Sequence, residues 1–266
     1  MNISHSDNEE VLTAQNIAEM AKNSSAKIGI GLIGDNARKN LIIKGAKRHG
    51  ISEVHFFGDA STLVEALSAG KIDAAVRGNL EANNTMSSVR RFFSLDKILR
   101  AALLQPPKGN LILLAPVGVD EGWTLEQKIE LIDLGMRFLT RLGIEPKVGI
   151  LSGGRKGDRG RHPVVDRTLD EAEAIAEYFR ESKFDVKDCE ILIENAVLDR
   201  NMILAPDGIS GNLIFRALHF LGGWRALGAP ILNLEKVFID TSRAKRNYVD
   251  SIALAAALVK LNKGMR

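Results

Sequence analysis

MILAPDGISGNLIFRALHFLGG (202–223) and KVFIDTSRAKRNYVDSIALAAALV (236–259) repeat one pattern: a short apolar run ending at an Asp, a loop of small and polar residues, then an amphipathic helix. In an α/β protein the loop between a strand's carboxyl end and a helix's amino end is the usual ligand position. Free backbone N–H groups and the helix dipole favour anions there. The second loop also carries Ser242, Arg243, Lys245 and Arg246, side chains suited to phosphate.

Upstream, the same alternation runs back to residue 27. KIGIGLIG (27–34), VHFF (54–57) and IDAAVRG (72–78) read as strands, with helices expected at 36–48, within STLVEALSAG, and near 85–103. A short amphipathic helix is expected over 8–22. QPPKGN (105–110) is a turn cluster and a plausible boundary. Beyond it LILLAPV, KVGILSG (147–153) and DCEILIE (188–194) read as strands, and helices are expected in TLEQKIELIDLGMRFLTRLG, opened by Thr124, and in TLDEAEAIAEYFRE. Alternating strands and helices imply an α/β protein with mostly parallel sheets.

Composition excludes several classes. The chain has 266 residues, 45% hydrophobic and 26% charged, enough for one large or two medium domains. A net charge of +3 and 5% aromatic residues give no basis for nucleic-acid binding. Cys189 is the single cysteine, which excludes an internal disulfide and a cysteine-based zinc cluster and fits a reducing cytoplasm. The five histidines have no helix-pair metal spacing, so no metal site is expected. The polar, acidic amino terminus is no signal peptide, and no apolar run is long enough to span a membrane.

Four segments carry candidate chemistry. Gly29, Gly31 and Gly34 match a GxGxxG nucleotide fingerprint, but the fingerprint needs a strand before its first glycine, and here the glycines fall inside the strand. The loop Ser152–His162 combines Gly153, Gly154, Gly157 and Gly160 with Arg155, Lys156, Arg159 and Arg161, material for an anion-binding nest or for a mobile surface loop. In DGISGN, Asp207, Ser210, Gly211 and Asn212 suit a ligand; equally, Ser210 suits a helix N-cap and the glycines a turn. In DTSRAKRNYVDS, Thr241 or Ser242 suits a cap for the last helix. Three cations at a helix amino end oppose the dipole, and a bound anion would explain them. Asp250, about two helical turns past Ser242, reads either as a general base or as a solvated acid.

At these residues the chain resembles the phosphate acetyl/butyryl transferase family. VGILSGGRKG is similar to that family's strand and glycine-lysine loop, APDGISGN to its Pro-Asp loop with a Gly-Asn pair, and ILIENAVLD to the segment before the next strand. IDTSRA resembles its Asp-x-Ser-Arg-Gly signature, with Ala244 replacing the glycine. The resemblance implies an isocitrate-dehydrogenase-like two-domain fold with an interdomain cleft: residues 1–103 plus 243–266 in one domain, 104–242 in the other. It implies catalytic roles for Ser242 and Arg243, and for Asp250 if one residue is inserted in the loop. Ligand binding would fall to Ser152, Gly153, Arg155, Lys156 and Gly157, to Asp207, Ser210, Gly211 and Asn212, and to Thr241, Lys245 and Arg246, all converging on one cleft.

Within that family the whole chain is most similar to a methanogen branch, the Mtx subunit X or methanogenesis marker proteins. This implies a subunit of a methyl-transfer system that binds a phosphorylated ligand, with methyltransferase partner subunits, a homodimer and a cytoplasmic setting. Corrinoid binding is not indicated, because no Asp-x-His-x-x-Gly motif occurs. The alternative is phosphate acyltransfer with CoA as cofactor: Asp250 would deprotonate the thiol, Arg243 polarise the acyl carbonyl, and Ser242 hold the oxyanion or phosphate. A non-catalytic phosphometabolite-binding protein is the third expectation.

Overall fold

The computed structural model describes residues 12–34, 36–245 and 247–264. Its first part contains α1 (Ala14–Ala21), β1 (Ile28–Gly31), α2 (Asn36–Arg48), β2 (Val54–Phe57), α3 (Ala60–Ser68), β3 (Ala74–Val76) and α4 (Ala82–Phe93). Next come β4 (Ala102–Gln105), β5 (Ile112–Ala115), α5 (Leu125–Arg141), β6 (Lys147–Ile150), α6 (Pro163–Tyr178), β7 (Asp185–Asp188) and α7 (Ile193–Asp199). The chain closes with β8 (Met202–Leu204), α8 (Gly208–Arg216), β9 (Arg225–Pro230), β10 (Val237–Asp240) and α9 (Val249–Gly264).

The strands form one mixed sheet in the order β2-β1-β3-β10-β9-β4-β5-β8-β6-β7. Two parallel groups, β2-β1-β3-β10 and β5-β8-β6-β7, flank the antiparallel strands β9 and β4. The mixed α/β class with a mostly parallel sheet is thus observed. Because the three successive pairings β10–β9, β9–β4 and β4–β5 are all antiparallel, the two parallel groups run oppositely. The carboxyl ends of β10 and β5 therefore pass each other at the centre.

The core follows from the apolar strands. β1, β3, β5 and β10 are buried throughout, as strands covered on both faces must be. Gly29 and Gly31 lie within β1, as expected, and serve close packing: a Cβ would sit 2.4 Å from the Ile72 side chain and 2.5 Å from Arg77 O, respectively. The last helix is more central than an amphipathic surface helix. From Ser251 to Val259 every residue of α9 is buried, and it packs on α1, β3, β9 and β10. Thr124 caps α5 as expected, its hydroxyl accepting from Gln127 N at 3.3 Å.

Four local expectations need correction. The helix expected over 85–103 ends at Phe93, where Ser94 turns left-handed (φ 53°), and ALLQ becomes β4. A short apolar run has no period that separates strand from helix. The strand read in DCEILIE belongs instead to DVKD: β7 is a sheet edge, with outer residues free to be polar, and ILIE passes into α7. The helix read from TLDEAEA starts earlier, at Pro163, with His162 as N-cap. RALGAP, not read as a strand, forms β9 at the centre of the sheet. Residues 8–11 of the expected first helix lie outside the described residues.

Four buried charges tie the central strands together. Asp240, at the end of β10, accepts from Arg77 Nε after β3 and, at 2.7 Å, from Arg100 Nη1 before β4. Arg100 Nε also donates to Glu121 Oε1 at 2.5 Å, and its backbone N–H to Glu121 Oε2 at 2.9 Å. Arg77 donates further to the carbonyls of Leu80 (2.6 Å) and Thr241. All four residues are less than a tenth exposed. Burial alone would raise the Asp240 carboxyl, but the charges of Arg100 and Arg77 prevail and hold it below the usual carboxylate range. Removing one member leaves charge buried without a partner. Asp240→Ala is expected to cost about 3–5 kcal/mol of unfolding free energy in urea titration; a loss under about 1 kcal/mol would mean that the two guanidiniums find other acceptors.

Candidate functional site

A cleft of about 450 Å3 opens above β9 and β4. Its floor is made of small residues, Ala102, Ala226, Gly228 and Ala229. The loop after β10 forms one wall with Thr241, Ser242, Arg243, Ala244 and Lys245; α8 and the turn after it form the other, with Asn212, Phe215, Arg216 and His219. Arg77 reaches it from behind β3. Its size suits a small ligand.

The charge in the cleft is mostly positive. Asp240 is its acidic lining residue, and that carboxylate is already shared between Arg77 and Arg100. Arg243 and Arg216 are exposed, and no hydrogen bond or ion pair involving either guanidinium is found among the described residues; Arg216 lies 5.3 Å from the Phe220 ring centre. A negative group entering between them would meet unsatisfied donors.

The loop after β10 is built, not slack. Thr241 Oγ1 donates to Gly78 O at 2.9 Å, tying the loop to β3. Ser242 Oγ accepts from Ala244 N at 3.3 Å. Lys245 Nζ donates to Ala226 O at 2.6 Å and to Ser251 Oγ at 3.1 Å. Burial lowers the Lys245 pKa to about 8, the nearby Asp250 carboxylate opposing that shift.

The last helix begins at Val249, six residues beyond Arg243, so neither Thr241 nor Ser242 caps it. Asp250 therefore sits in its first turn, not two turns along. Both carboxylate oxygens are held by Arg225, from Nε at 2.9 Å and Nη2 at 2.6 Å. Burial would raise this carboxyl, but the Arg225 hydrogen bonds and the Lys245 charge outweigh it and keep it below the usual range. So held, it is a weak proton acceptor at neutral pH.

The first strand–loop–helix unit contributes its helix, not its loop. Asp207 and Ser210 form a reciprocal capping box: Ser210 N donates to Asp207 Oδ1 at 2.8 Å, and Asp207 N to Ser210 Oγ at 3.2 Å. Gly208 and Gly211 serve close approach, since a Cβ would lie 1.6 Å from Gly118 O and 1.9 Å from Pro116 O. Asn212 lines the cleft while its Nδ2 donates to Val117 O at 2.9 Å.

The basic loop after β6 does not join this cleft. Five strand positions separate β6 from β10, roughly 24 Å along the sheet. Most of its polar groups are also occupied; among the described residues no hydrogen bond or ion pair is found for the exposed Arg155 guanidinium. Ser152 Oγ donates to Gly154 O at 2.9 Å, Gly153 N to Thr168 Oγ1 at 2.8 Å, and Arg155 N to Asp158 Oδ2 at 2.8 Å. Lys156 faces Asp188 at 3.8 Å across a separate groove, Arg159 pairs with Asp170 and Glu173, and Arg161 with Asp158. Gly157 sits in a short 3-10 turn, Lys156–Asp158. Arg246 lies outside the described residues. Apart from Asp158 within the loop, the acids that pair with it lie in α6 and β7, beyond the reach of a local sequence reading.

Sequence reading missed Arg77, Phe215, Arg216 and His219. Arg77 and Arg100 did leave a signal, a lone cation inside an apolar strand run, which requires a buried partner. His219 left little. It lies in a π-helical turn, Ala217–Leu221, and its Nδ1 is 2.8 Å from Trp224 O. A carbonyl can only accept, so in the neutral ring Nδ1 carries the proton and Nε2 the lone pair.

No family model matches the chain. A protein of Methanosarcina mazei named "putative methyltransferase mtx subunit X" is 44% identical over 229 residues, covering 84% of this chain and 82% of that protein. A phosphate acetyltransferase of Corynebacterium glutamicum is 25% identical over 266 residues, covering 91% of this chain and 73% of that protein. Among solved structures, a branched-chain phosphotransacylase from Enterococcus faecalis superposes with TM-score 0.70 at 13% identity, covering 88% of this chain and 99% of the other. The last likeness is one of fold.

The Asp250–Arg225 pair makes a pH-dependent prediction. The folded-state carboxyl titrates below the unfolded value of about 3.9, so its stabilisation is complete above that pH and fades as pH falls toward the folded value. Asp250→Asn is therefore expected to cost about 1 kcal/mol at pH 7, Arg225 being half exposed, and to cost less at pH 3. Urea titrations at both pH values check this; an equal loss at both would remove the charge from the explanation.

Proposed function

The chain belongs to the Mtx subunit X family of methanogens, and on that premise we propose that it is a subunit of a methyl-transfer system that binds a small phosphorylated or carboxylated ligand in the cleft. The relatives' names supply the methyl-transfer setting; the residues supply the ligand class. The observation carrying the reading is the unpaired cationic rim, Arg243 and Arg216, facing each other across a floor of alanine and glycine. Ser242 adds a hydroxyl at the same wall. An anion held there would be gripped by charge-assisted hydrogen bonds in a partly desolvated site. Arg77 sets the field but is committed to Asp240 and to backbone carbonyls.

A second reading, transfer of an acyl group between CoA and phosphate, is favoured by the phosphotransacylase-like fold and by Ser242 and Arg243 at the cleft. Its weak point is the base, since Arg225 engages both oxygens of Asp250.

Calorimetry with inorganic phosphate tests the first reading. Binding is expected to weaken about tenfold or more in Arg243→Ala, the loss of one or two charge-assisted hydrogen bonds, and to weaken with added salt. Binding unchanged in that variant would place the anion elsewhere. Acetyl-CoA formed from acetyl phosphate and CoA, and lost in Arg243→Ala, would instead establish the acyl-transfer reading.

A further inference from the structure

Lys245 differs from the arginines of the cleft in how its charge is housed. Nζ is buried against a backbone carbonyl, Ala226 O at 2.6 Å, and a hydroxyl, Ser251 Oγ at 3.1 Å. Both partners are neutral. The nearest acid, Asp250 on α9, has its two oxygens engaged by Arg225 of β9. Asp250 favours the ammonium, Arg225 opposes it, and burial outweighs both. An amine that donates two N–H bonds has one position left, a proton in the ammonium and a lone pair in the neutral form. The side chain lines the cleft next to Ala244 and Arg243. A structural lysine gains from a carboxylate partner, and an anion clamp gains from full charge. This site gives the carboxylate's hydrogen bonds to Arg225, and burial weakens the ammonium of Lys245.

Building on the anion-cleft reading, we infer that Lys245 is a nucleophile, condensing with the carbonyl carbon of a small phosphorylated or carboxylated aldehyde or ketone held by Arg243 and Arg216. A desolvated lysine near other cations is the chemistry that imine formation requires. The nitrogen lone pair bonds to the carbonyl carbon, and the π pair moves to oxygen, which takes the proton shed by nitrogen. The hydroxyl then leaves as water, carrying the second amine proton. Amine and carbonyl thus become imine and water, with no change in oxidation state. With its pKa lowered to about 8, roughly a tenth of Lys245 is uncharged at pH 7, about two hundred times the fraction for an exposed lysine.

The full chain is treated with pyridoxal phosphate, an anionic aldehyde, reduced with borohydride, and mapped by peptide mass. The adduct is expected on Lys245 ahead of exposed lysines such as Lys108 and Lys263, with inorganic phosphate slowing it at least tenfold. In protein labelled with 13C at lysine Cε, one resonance, absent in Lys245→Arg, is expected to titrate about two pH units below the rest. Label spread over exposed lysines with Lys245 unmodified overturns the inference, and the labelling arm holds even if Lys245→Arg fails to fold. Formaldehyde with cyanoborohydride, a neutral probe, separates the two readings. Preferential methylation of Lys245 without phosphate protection keeps the nucleophile and removes the anion site. Phosphate binding with Lys245 inert to both reagents removes the nucleophile and keeps the anion site.

Discussion

Two guanidiniums share one carboxylate at the centre of the sheet. Asp240 bonds both Arg77 and Arg100, and Arg100 passes on to Glu121. This joins the ends of β3 and β10 to the start of β4 and the loop beyond β5, the places where the two parallel groups meet through antiparallel strands. Burying four charges is expensive, and an apolar substitute of the same shape would often be as stable. The network instead fixes register. Each carboxylate oxygen has an assigned donor, so β10 cannot slip against β3 or β4 without stranding a charge.

The cleft follows from that arrangement. With Asp240 neutralised, the loop after β10 stands over a floor that carries no free negative charge. Thr241 and Lys245 pin the loop at its two ends, to Gly78 and to Ala226 with Ser251, leaving Ser242 and Arg243 between the anchors. The opposite wall depends on glycine in a different way. Gly208 and Gly211 let α8 settle against the backbone of Gly118 and Pro116, which brings Arg216 and His219 to the rim. Charge is thus concentrated by a buried network on one side and by close backbone packing on the other.

Much of this was legible in the chain. Period and composition identified the α/β class, most strands and the cap at Thr124, because those features depend on neighbours within a few residues. DTSRAK stood out because Ser and Arg beside a strand end are chemically specific, and those residues do line the cleft. The basic loop at 152–162 shows the limit. Its cations look unpaired in sequence, yet Asp170 and Glu173 of α6 pair with Arg159, and Asp188 at the end of β7 with Lys156. Asp250 shows it again: in sequence it reads as a general base or a solvated acid, while Arg225, from a strand that went unread, occupies it.

The sequence by itself determined the alternation of strands and helices, the burial of its apolar runs, and a loop after β10 rich in phosphate-binding groups, since these are set by local pattern and residue chemistry. Only the tertiary structure decided which charges remain free. Pairing depends on what lies within about 4 Å in space. The strands that bring Arg77, Arg100 and Asp240 together are separated along the chain by 23 to 163 residues, a distance across which no local pattern reaches.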